Sequence, residues 1–145
     1  MNHEIMKKAI VFAVAKHQGQ TDDIGKRYFD SHIQPVANAL MTFTNDAEII
    51  AAAYLHDTLE DTNTTYDELV NEFGVRVADL VNELTHEGEK DHYYFPRLKS
   101  KEAILIKLID RASNISRMEN WNDNKKDKYL KKTRFWKDGT NKQEE

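Results

Sequence analysis

The stretch from Ile49 to Thr62 constrains the fold most, because an apolar run changes there into a charged one. Seven apolar residues, 49–55, are followed within six residues by one histidine and three carboxylates. On a helix, His56 and Glu60 would continue the stripe that begins at Ile49, so polar groups extend the face that the apolar residues bury. Carboxylates three or four residues apart also repel each other by roughly 0.2–0.5 kcal/mol per pair. A bound cation would satisfy the inward groups and remove this repulsion.

The His56-Asp57 dipeptide is a weak motif when it is taken alone. A single inward histidine is more often a hydrogen-bonded core residue than a metal ligand. Neighbouring residues on a helix also point about 100° apart, so both reach one metal only if the metal lies between them. A metal site here therefore requires further ligands from other helices.

Composition limits the class of protein. At 145 residues we expect one domain over 1–137, with a core at about 4–118, a Lys-rich helix at about 120–137 and a disordered tail at 138–145. The chain has no cysteine, which excludes disulfides and thiolate chemistry and fits a reducing cytoplasm. No apolar run approaches the roughly 20 residues of a membrane helix, and no export signal is recognisable. We therefore expect a cytoplasmic protein without a membrane partner.

Apolar periodicity and capping residues predict an all-α, single-domain helical bundle. Ser31 and Gln34 have the spacing of a capping box, which would start a helix. Two polar stretches, 21–30 and 86–96, are predicted loops. The predicted helices are Glu4–Lys16, His32 to about Phe43, a helix capped by Asn45 or Asp46 that runs to about Asp61, Tyr66–Phe73, Val75–Leu84, Leu98 to about Met118, and Asn120–Trp136.

The predicted helix at 98–118 is apolar nearly all round, which indicates a buried helix. Asp110 interrupts its apolar run on the stripe of Ala103 and Ile106. A buried carboxylate is costly unless it is paired or binds a metal. Asp110 is therefore a candidate ligand, with an ordinary ion pair to Arg111 as the alternative.

Four candidate metal ligands thus come from three predicted helices: His32, His56, Asp57 and Asp110. This nitrogen and oxygen set suits Mn, Fe or Zn and is poor for Cu(I). The order H…HD…D resembles the HD phosphohydrolase superfamily, in particular the hydrolase domain of RelA/SpoT-type proteins and the small alarmone hydrolases. The resemblance covers about 9–117. It includes Ala15-Lys-His-Gln-Gly-Gln20, His32 with Val36-Ala37, Tyr54-Leu-His-Asp-Thr-Leu-Glu-Asp-Thr62, Phe73-Gly74, Glu83-Leu-Thr85 and Lys107-Leu-Ile-Asp-Arg-Ala-Ser-Asn114.

The resemblance implies one divalent metal on those four ligands, usually Mn²⁺, with Fe, Zn, Co or Mg as alternatives. It also implies a catalytic acidic pair, Glu60 and Asp61, and a nucleotide contact at Asn114, with Lys107 as a further candidate contact. The family reaction removes pyrophosphate from the 3′ position of guanosine tetra- or pentaphosphate. A metal that lowers the pKa of bound water fits this reaction. Glu60, one helical turn beyond His56, would orient or deprotonate that water.

The chain departs from the family pattern before the first histidine. Many alarmone hydrolases carry a basic pair just after the Gly-Gln step, where this chain has Asp22-Asp23. Lys26 and Arg27 are the candidates to bind the nucleotide in place of that pair. The segment 28–32 is one residue longer than the usual spacing, and Ile33 stands where a proline is usual.

Three hypotheses follow for the function. The first is a metal-dependent nucleotide phosphohydrolase, best described as a guanosine 3′,5′-bis(diphosphate) 3′-pyrophosphohydrolase, with an HD-type nucleotidase acting on another nucleotide as the alternative. The second is a non-catalytic metal- and nucleotide-binding module, which Asp22-Asp23 motivate. The third is nucleic-acid binding through residues 125–137, where seven basic residues accompany one acidic residue. The net charge of −4 argues against the third. The sequence does not indicate the oligomeric state, and a homo-oligomer stays an open alternative.

Overall fold

α-Helices form the fold of the residues that the computed structural model describes, which are 3–22, 24–85, 98–116 and 123–124. A π-helical turn, Phe29–Ile33, leads directly into the second helix. Within these residues the only β pairing is an isolated bridge between Thr21 and Arg27. The prediction of an all-α fold is confirmed. The helices are α1 His3–Lys16, α2 Gln34–Leu40, α3 Ala47–Leu55, α4 Thr58–Asp61, α5 Tyr66–Phe73, α6 Val75–Leu84 and α7 Lys101–Ser116.

α3 lies at the centre of the fold, and every one of its residues except Glu48 is buried. It packs against α1, α2 and α6. The small side chains at 51–53 let neighbouring helices approach closely, and a helix surrounded on all sides has to be apolar all round. This central helix ends at Leu55 and leads directly into His56 and Asp57, so the polar residues stand on the best-packed part of the chain.

The prediction of one continuous helix to Asp61 is wrong, because α3 ends at Leu55 and a separate turn, α4, follows. Two side chains capture the last carbonyl groups of α3. The His56 ring contacts the carbonyl oxygen of Ala53 through Nδ1 at 2.7 Å, and the Thr58 hydroxyl donates to the carbonyl of Leu55 at 2.7 Å. The Ala53 carbonyl also accepts from the backbone N–H of His56 at 3.4 Å, so side chains add to the bonds that end the helix.

The predicted capping box at Ser31 is wrong as well. Helical structure begins before Ser31, and Ile33, which occupies the N-cap position of α2, makes no side-chain capping bond. The backbone N–H of Gln34 instead donates to the carbonyl of Phe29, the five-residue step of a π-helix. A π-turn holds one residue more than an α-turn, which accommodates the extra residue in this segment. α2 also ends at Leu40, three residues before the predicted end.

The two predicted helices on either side of Gly74 are confirmed at both ends. Thr65 caps α5 by accepting a hydrogen bond from the backbone N–H of Glu68 at 3.1 Å. Gly74 ends α5 with a φ of 93°, a conformation that residues with a Cβ rarely adopt. Both signals are local in the sequence, which explains why the boundaries are predictable.

α7 is buried on one face only, so the prediction of a helix buried all round is wrong. It packs against α2 and α6, and Asp110 lies on its buried face. Ile104, Leu108 and Ile115 lie on the other side and are about two-fifths exposed, at 39%, 43% and 44%. The apolar composition of a helix therefore overstates its burial where the helix lies at the edge of a bundle.

Some predictions fall outside the described residues. They are the loop at 86–96, nearly all of the Lys-rich helix at 120–136, of which only residues 123–124 are described and are helical, and the tail from 138. In the part of the chain that is described, no helix has both the length and the apolar character that a membrane crossing requires.

The N-cap of α3 provides a test of the fold. Asp46 accepts hydrogen bonds from the backbone N–H groups of Glu48 and Ile49 at 3.0 and 3.4 Å, and it pairs with Arg76 at 3.0 Å. We expect Asp46→Ala to lower the free energy of unfolding by about 1 kcal/mol, in line with the loss of a cap.

Asp46→Asn is the matched control in urea unfolding, because asparagine caps as well as aspartate but cannot pair with Arg76. Its loss should stay well below that of the alanine variant, since exposed ion pairs contribute little. Equal losses in the two variants would show that the ion pair, and not the cap, stabilises α3.

Candidate metal centre

Four polar side chains from three parts of the fold meet at one point. His32 comes from the π-turn, His56 and Asp57 from the junction between α3 and α4, and Asp110 from α7. One nitrogen or oxygen atom of each lies within 4.8 Å of the corresponding atom of every other. The structure therefore brings together all four residues that the sequence proposes as ligands. That they bind a metal stays a prediction.

The distances within this cluster suit a small cation. Oδ1 of Asp110 lies 2.7 Å from Nε2 of His32 and 3.2 Å from Nε2 of His56. Oδ2 of Asp57 lies 3.2 Å from Nε2 of His56 and 3.7 Å from Nε2 of His32. Donor atoms that each bind a metal at about 2.0–2.2 Å lie roughly 3 to 3.5 Å apart. The two imidazoles and two carboxylates fit such an ion in type and spacing.

Hydrogen bonds on the outer side of each imidazole direct Nε2 inward. Nδ1 of His56 donates to the carbonyl of Ala53 at 2.7 Å, and Nδ1 of His32 lies 3.4 Å from the hydroxyl of Ser113. Metal-binding histidines commonly have such a partner on the second nitrogen. Sequence reasoning missed both partners. Ser113 lies three residues after Asp110, on the same side of α7, and that spacing is the signal that identifies it.

Opposite charges hold the cluster together. Burial disfavours the charged form of His56, but the carboxylates of Asp57 and Asp110 outweigh burial and raise the pKa of His56 well above its usual value. Burial likewise opposes the charge on Asp57, but the charge of His56 and its hydrogen bond lower the Asp57 pKa. Against the effect of burial, the charge of Lys107 and the hydrogen bonds from the two histidines hold the pKa of Asp110 well below its usual range.

Lys107 lies inside this site and not at its mouth. It is buried, with Nζ 3.7 Å from Oδ2 of Asp110. Burial lowers its pKa, and the charge of Asp110 opposes that effect. Lys107 is thus a counter-charge to Asp110. Its predicted contact with a nucleotide stays a prediction. Arg111 is also buried, but Oδ1 of Asp110 faces the two histidines.

The predicted acidic pair lies on α4, directly after Asp57. Glu60 is partly buried and Asp61 is exposed. The charge of Glu60 acts on Lys107, and the charge of Asp61 acts on Tyr28, so both carboxylates are close to the cluster. Asn114 is partly buried on α7, one helical turn beyond Asp110.

Lys26 and Arg27, which were predicted to bind the nucleotide in place of the usual basic pair, lie outside the cluster of four polar side chains. Arg27 is exposed, and its guanidinium donates two hydrogen bonds to the Asp30 carboxylate, each at 3.0 Å. Lys26 is exposed in the same loop. The Asp22 carboxylate accepts hydrogen bonds from the backbone N–H groups of Ile24 and Lys26 at 3.0 and 2.9 Å, so it shapes the loop in which it lies. Residue 23 is outside the described part of the chain.

Sequence reasoning also missed Tyr28, whose hydroxyl donates to Oδ2 of Asp57 at 2.6 Å. Burial, together with the nearby charge of Asp57, raises the pKa of Tyr28 well above its usual value. The hydroxyl therefore keeps its proton, and can donate it to a hydrogen bond, at any pH near neutrality.

Comparison with known proteins defines the class to which this fold and cluster belong. Residues 9–103 match the HD domain family. Because this match spans more than half of the sequence, the chain belongs to the HD-domain family. The resemblance of the sequence to that superfamily is confirmed.

The relatives within this family act on guanosine nucleotides. The chain is 38% identical over 140 residues to a guanosine-3′,5′-bis(diphosphate) 3′-pyrophosphohydrolase of Aquifex aeolicus, and 32% identical over 146 residues to a GTP pyrophosphokinase of Myxococcus xanthus. Each match covers 90% of this chain but only 20% and 19% of the relative. The chain thus spans about a fifth of the length of these relatives.

A solved structure supports the same class. The structure of a metazoan ortholog of SpoT, described as hydrolysing ppGpp and as having a role in starvation responses, matches with a TM-score of 0.77 at 25% identity. The match covers 93% of this chain and 84% of that one. The helical bundle therefore has the architecture of an HD-domain hydrolase.

The charges of the cluster predict how stability depends on pH when the protein is metal-free. The raised pKa of His56 stabilises the folded state fully below about pH 6.5, the unfolded value, and this contribution is lost as the pH rises through the folded pKa. The lowered pKa values of Asp57 and Asp110 stabilise it above about pH 3.9 and that contribution is lost on acidification. Stability in the presence of a chelator should therefore be greatest between these two values.

Urea unfolding of the metal-free protein at a series of pH values measures this dependence, with His56→Gln as the comparison. The variant should lose less stability than the wild type between pH 6.5 and 9, because it has no proton to release at this position. Parallel pH profiles for the two proteins would show that His56 does not carry the charge.

Proposed function

We propose that this chain is a metal-dependent phosphohydrolase that removes pyrophosphate from the 3′ position of guanosine tetra- or pentaphosphate. The observation that carries this proposal is the convergence of His32, His56, Asp57 and Asp110 at distances that suit one cation. The similarity to the Aquifex aeolicus pyrophosphohydrolase and to the metazoan SpoT ortholog supports the choice of substrate. Mn²⁺ as the metal and the cytoplasm as the compartment are parts of the proposal.

The residues of the chain have distinct roles in this proposal. The two histidines and two aspartates would hold the metal, which supplies a hydroxide near neutral pH and positive charge for the phosphate oxygens. Glu60, on the turn that follows Asp57, orients the attacking water and takes its proton. Asp61 shares this work or assists the leaving group. Asn114, one turn beyond Asp110, contacts the nucleotide.

Hydrolysis of guanosine tetraphosphate tests the proposal. The purified protein with Mn²⁺ should release pyrophosphate, and a chelator should stop the release. Glu60→Gln should lower kcat by about 10²- to 10⁴-fold, the usual contribution of a general base, while the protein still binds Mn²⁺. Product release followed by chromatography, together with metal analysis of both proteins, separates loss of catalysis from loss of the metal.

Glu72→Gln is the matched control, because it makes the same chemical change on the surface of α5. Glu72 pairs with Lys8 at 3.1 Å and is half exposed. This variant should retain wild-type activity. Turnover of another nucleotide without turnover of guanosine tetraphosphate would reassign the chain to the HD-type nucleotidases.

A non-catalytic metal- and nucleotide-binding module is the second candidate, and the loop at 21–27 favours it. In that loop Asp22 binds backbone amides and Arg27 is paired with Asp30, so the charges differ from the basic pair of many alarmone hydrolases. Such a module would bind Mn²⁺ but hydrolyse no member of a phosphoester panel. Glu60→Gln would then leave its behaviour unchanged.

A further inference from the structure

Tyr28 contacts the proposed ligand set without belonging to it. Its hydroxyl donates to Oδ2 of Asp57 at 2.6 Å, the same oxygen that lies 3.2 Å from Nε2 of His56. An ionised carboxylate only accepts hydrogen bonds, and its two oxygens together have about four acceptor positions. Asp57 can therefore accept a hydrogen bond from Tyr28 and still bind a cation.

Two neighbouring histidine rings hold the Tyr28 ring in place. The centre of the Tyr28 ring lies 5.5 Å from that of the His17 ring and 5.3 Å from that of the His32 ring. His17 is only 2% exposed, and its Nδ1 lies 2.8 Å from the side-chain oxygen of Gln20. The phenol ring is therefore packed against two buried histidine rings.

The backbone holds Tyr28 from both ends. Its N–H donates to the carbonyl of Gln20 at 2.9 Å, and the π-turn Phe29–Ile33 begins at the next residue. The turn separates Tyr28 from His32 by four residues, yet both side chains reach Oδ2 of Asp57, at 2.6 and 3.7 Å. π-Turns are frequent at functional sites.

We propose that Tyr28 is a positioning residue that orients the carboxylate of Asp57 for metal binding. The proposal rests on the metal site of the proposed function. Carboxylates that bind metals are themselves hydrogen-bonded, and loss of such a partner typically weakens metal binding about 10- to 100-fold. Tyr28 acts through Asp57 alone in this role, and it contacts neither the substrate nor the reacting atoms.

Isothermal titration of metal-free protein with Mn²⁺ tests this role, comparing the wild type with Tyr28→Phe. Phenylalanine keeps the ring contacts with the two histidines and removes only the hydroxyl. We expect the variant to bind Mn²⁺ about 10- to 100-fold more weakly. At saturating Mn²⁺ the kcat for guanosine tetraphosphate should recover, because the hydroxyl acts before the chemical step.

Tyr54→Phe is the matched control, since Tyr54 is a buried tyrosine outside the cluster. Its hydroxyl accepts a hydrogen bond from the side-chain amide of Gln34 at 2.8 Å, and its ring stacks on Phe29. This variant should bind Mn²⁺ as the wild type does. Thermal unfolding of all three metal-free proteins, monitored by circular dichroism, shows whether each is folded before titration.

Each outcome of this experiment supports or overturns the role of Tyr28. Equal Mn²⁺ affinity in Tyr28→Phe and the wild type overturns it, as does an equal loss in both tyrosine variants. A wild type that binds no Mn²⁺ overturns the metal site and the role together. Weakened binding in Tyr28→Phe alone supports the role even if the wild type hydrolyses no guanosine tetraphosphate, so failure of the substrate assignment is distinguishable.

Discussion

The rest of this structure depends on how the negative charges of two carboxylates in the interior are balanced by positive groups. Asp110 is buried and Asp57 is largely buried, and a charge left unpaired there would cost several kcal/mol. Protonated His56 and Lys107 provide the opposite charge, and Nε2 of His32 lies within hydrogen-bond distance of Asp110. Because these groups come from the π-turn, the end of α3 and α7, the same contacts that satisfy the carboxylates tie three parts of the bundle together. The same side chains therefore contribute both to the stability of the fold and to the proposed metal binding.

How much of the fold could be predicted depends on how local each signal is. The ends of α5 and α6 follow from Thr65 and Gly74, whose capping and φ preferences act within a few residues. The break after Leu55 could not be predicted in this way. The bonds that create it come from the side chains of His56 and Thr58 to the last carbonyls of α3, and nothing in the apolar pattern distinguishes them from a helix that continues.

The four ligands could be predicted from residue type and order in the sequence. The groups that form hydrogen bonds to them could not be predicted in this way. The hydroxyl of Ser113 and the phenol of Tyr28 reach the cluster only through the packing of α7 and the π-turn. The capping-box pattern at Ser31 also misled, because the local preference for a helix start was overridden by helical structure that begins earlier. Lys107 was predicted only as a nucleotide contact, and the sequence did not indicate that it is buried beside Asp110.

A proton on Nε2 of His56 and the proposed metal ion would compete for the same position in this cluster. In the metal-free protein, protonated His56 and Lys107 face the two aspartates, and the charges of the aspartates raise the pKa of His56. A metal requires the neutral imidazole, so binding has to release that proton. A higher pH therefore weakens the metal-free fold and favours metal binding, and both effects act through His56. Ionisation of a water bound to the proposed metal would also be favoured by higher pH, so the stability of the metal-free protein and the proposed activity would have opposite pH dependence.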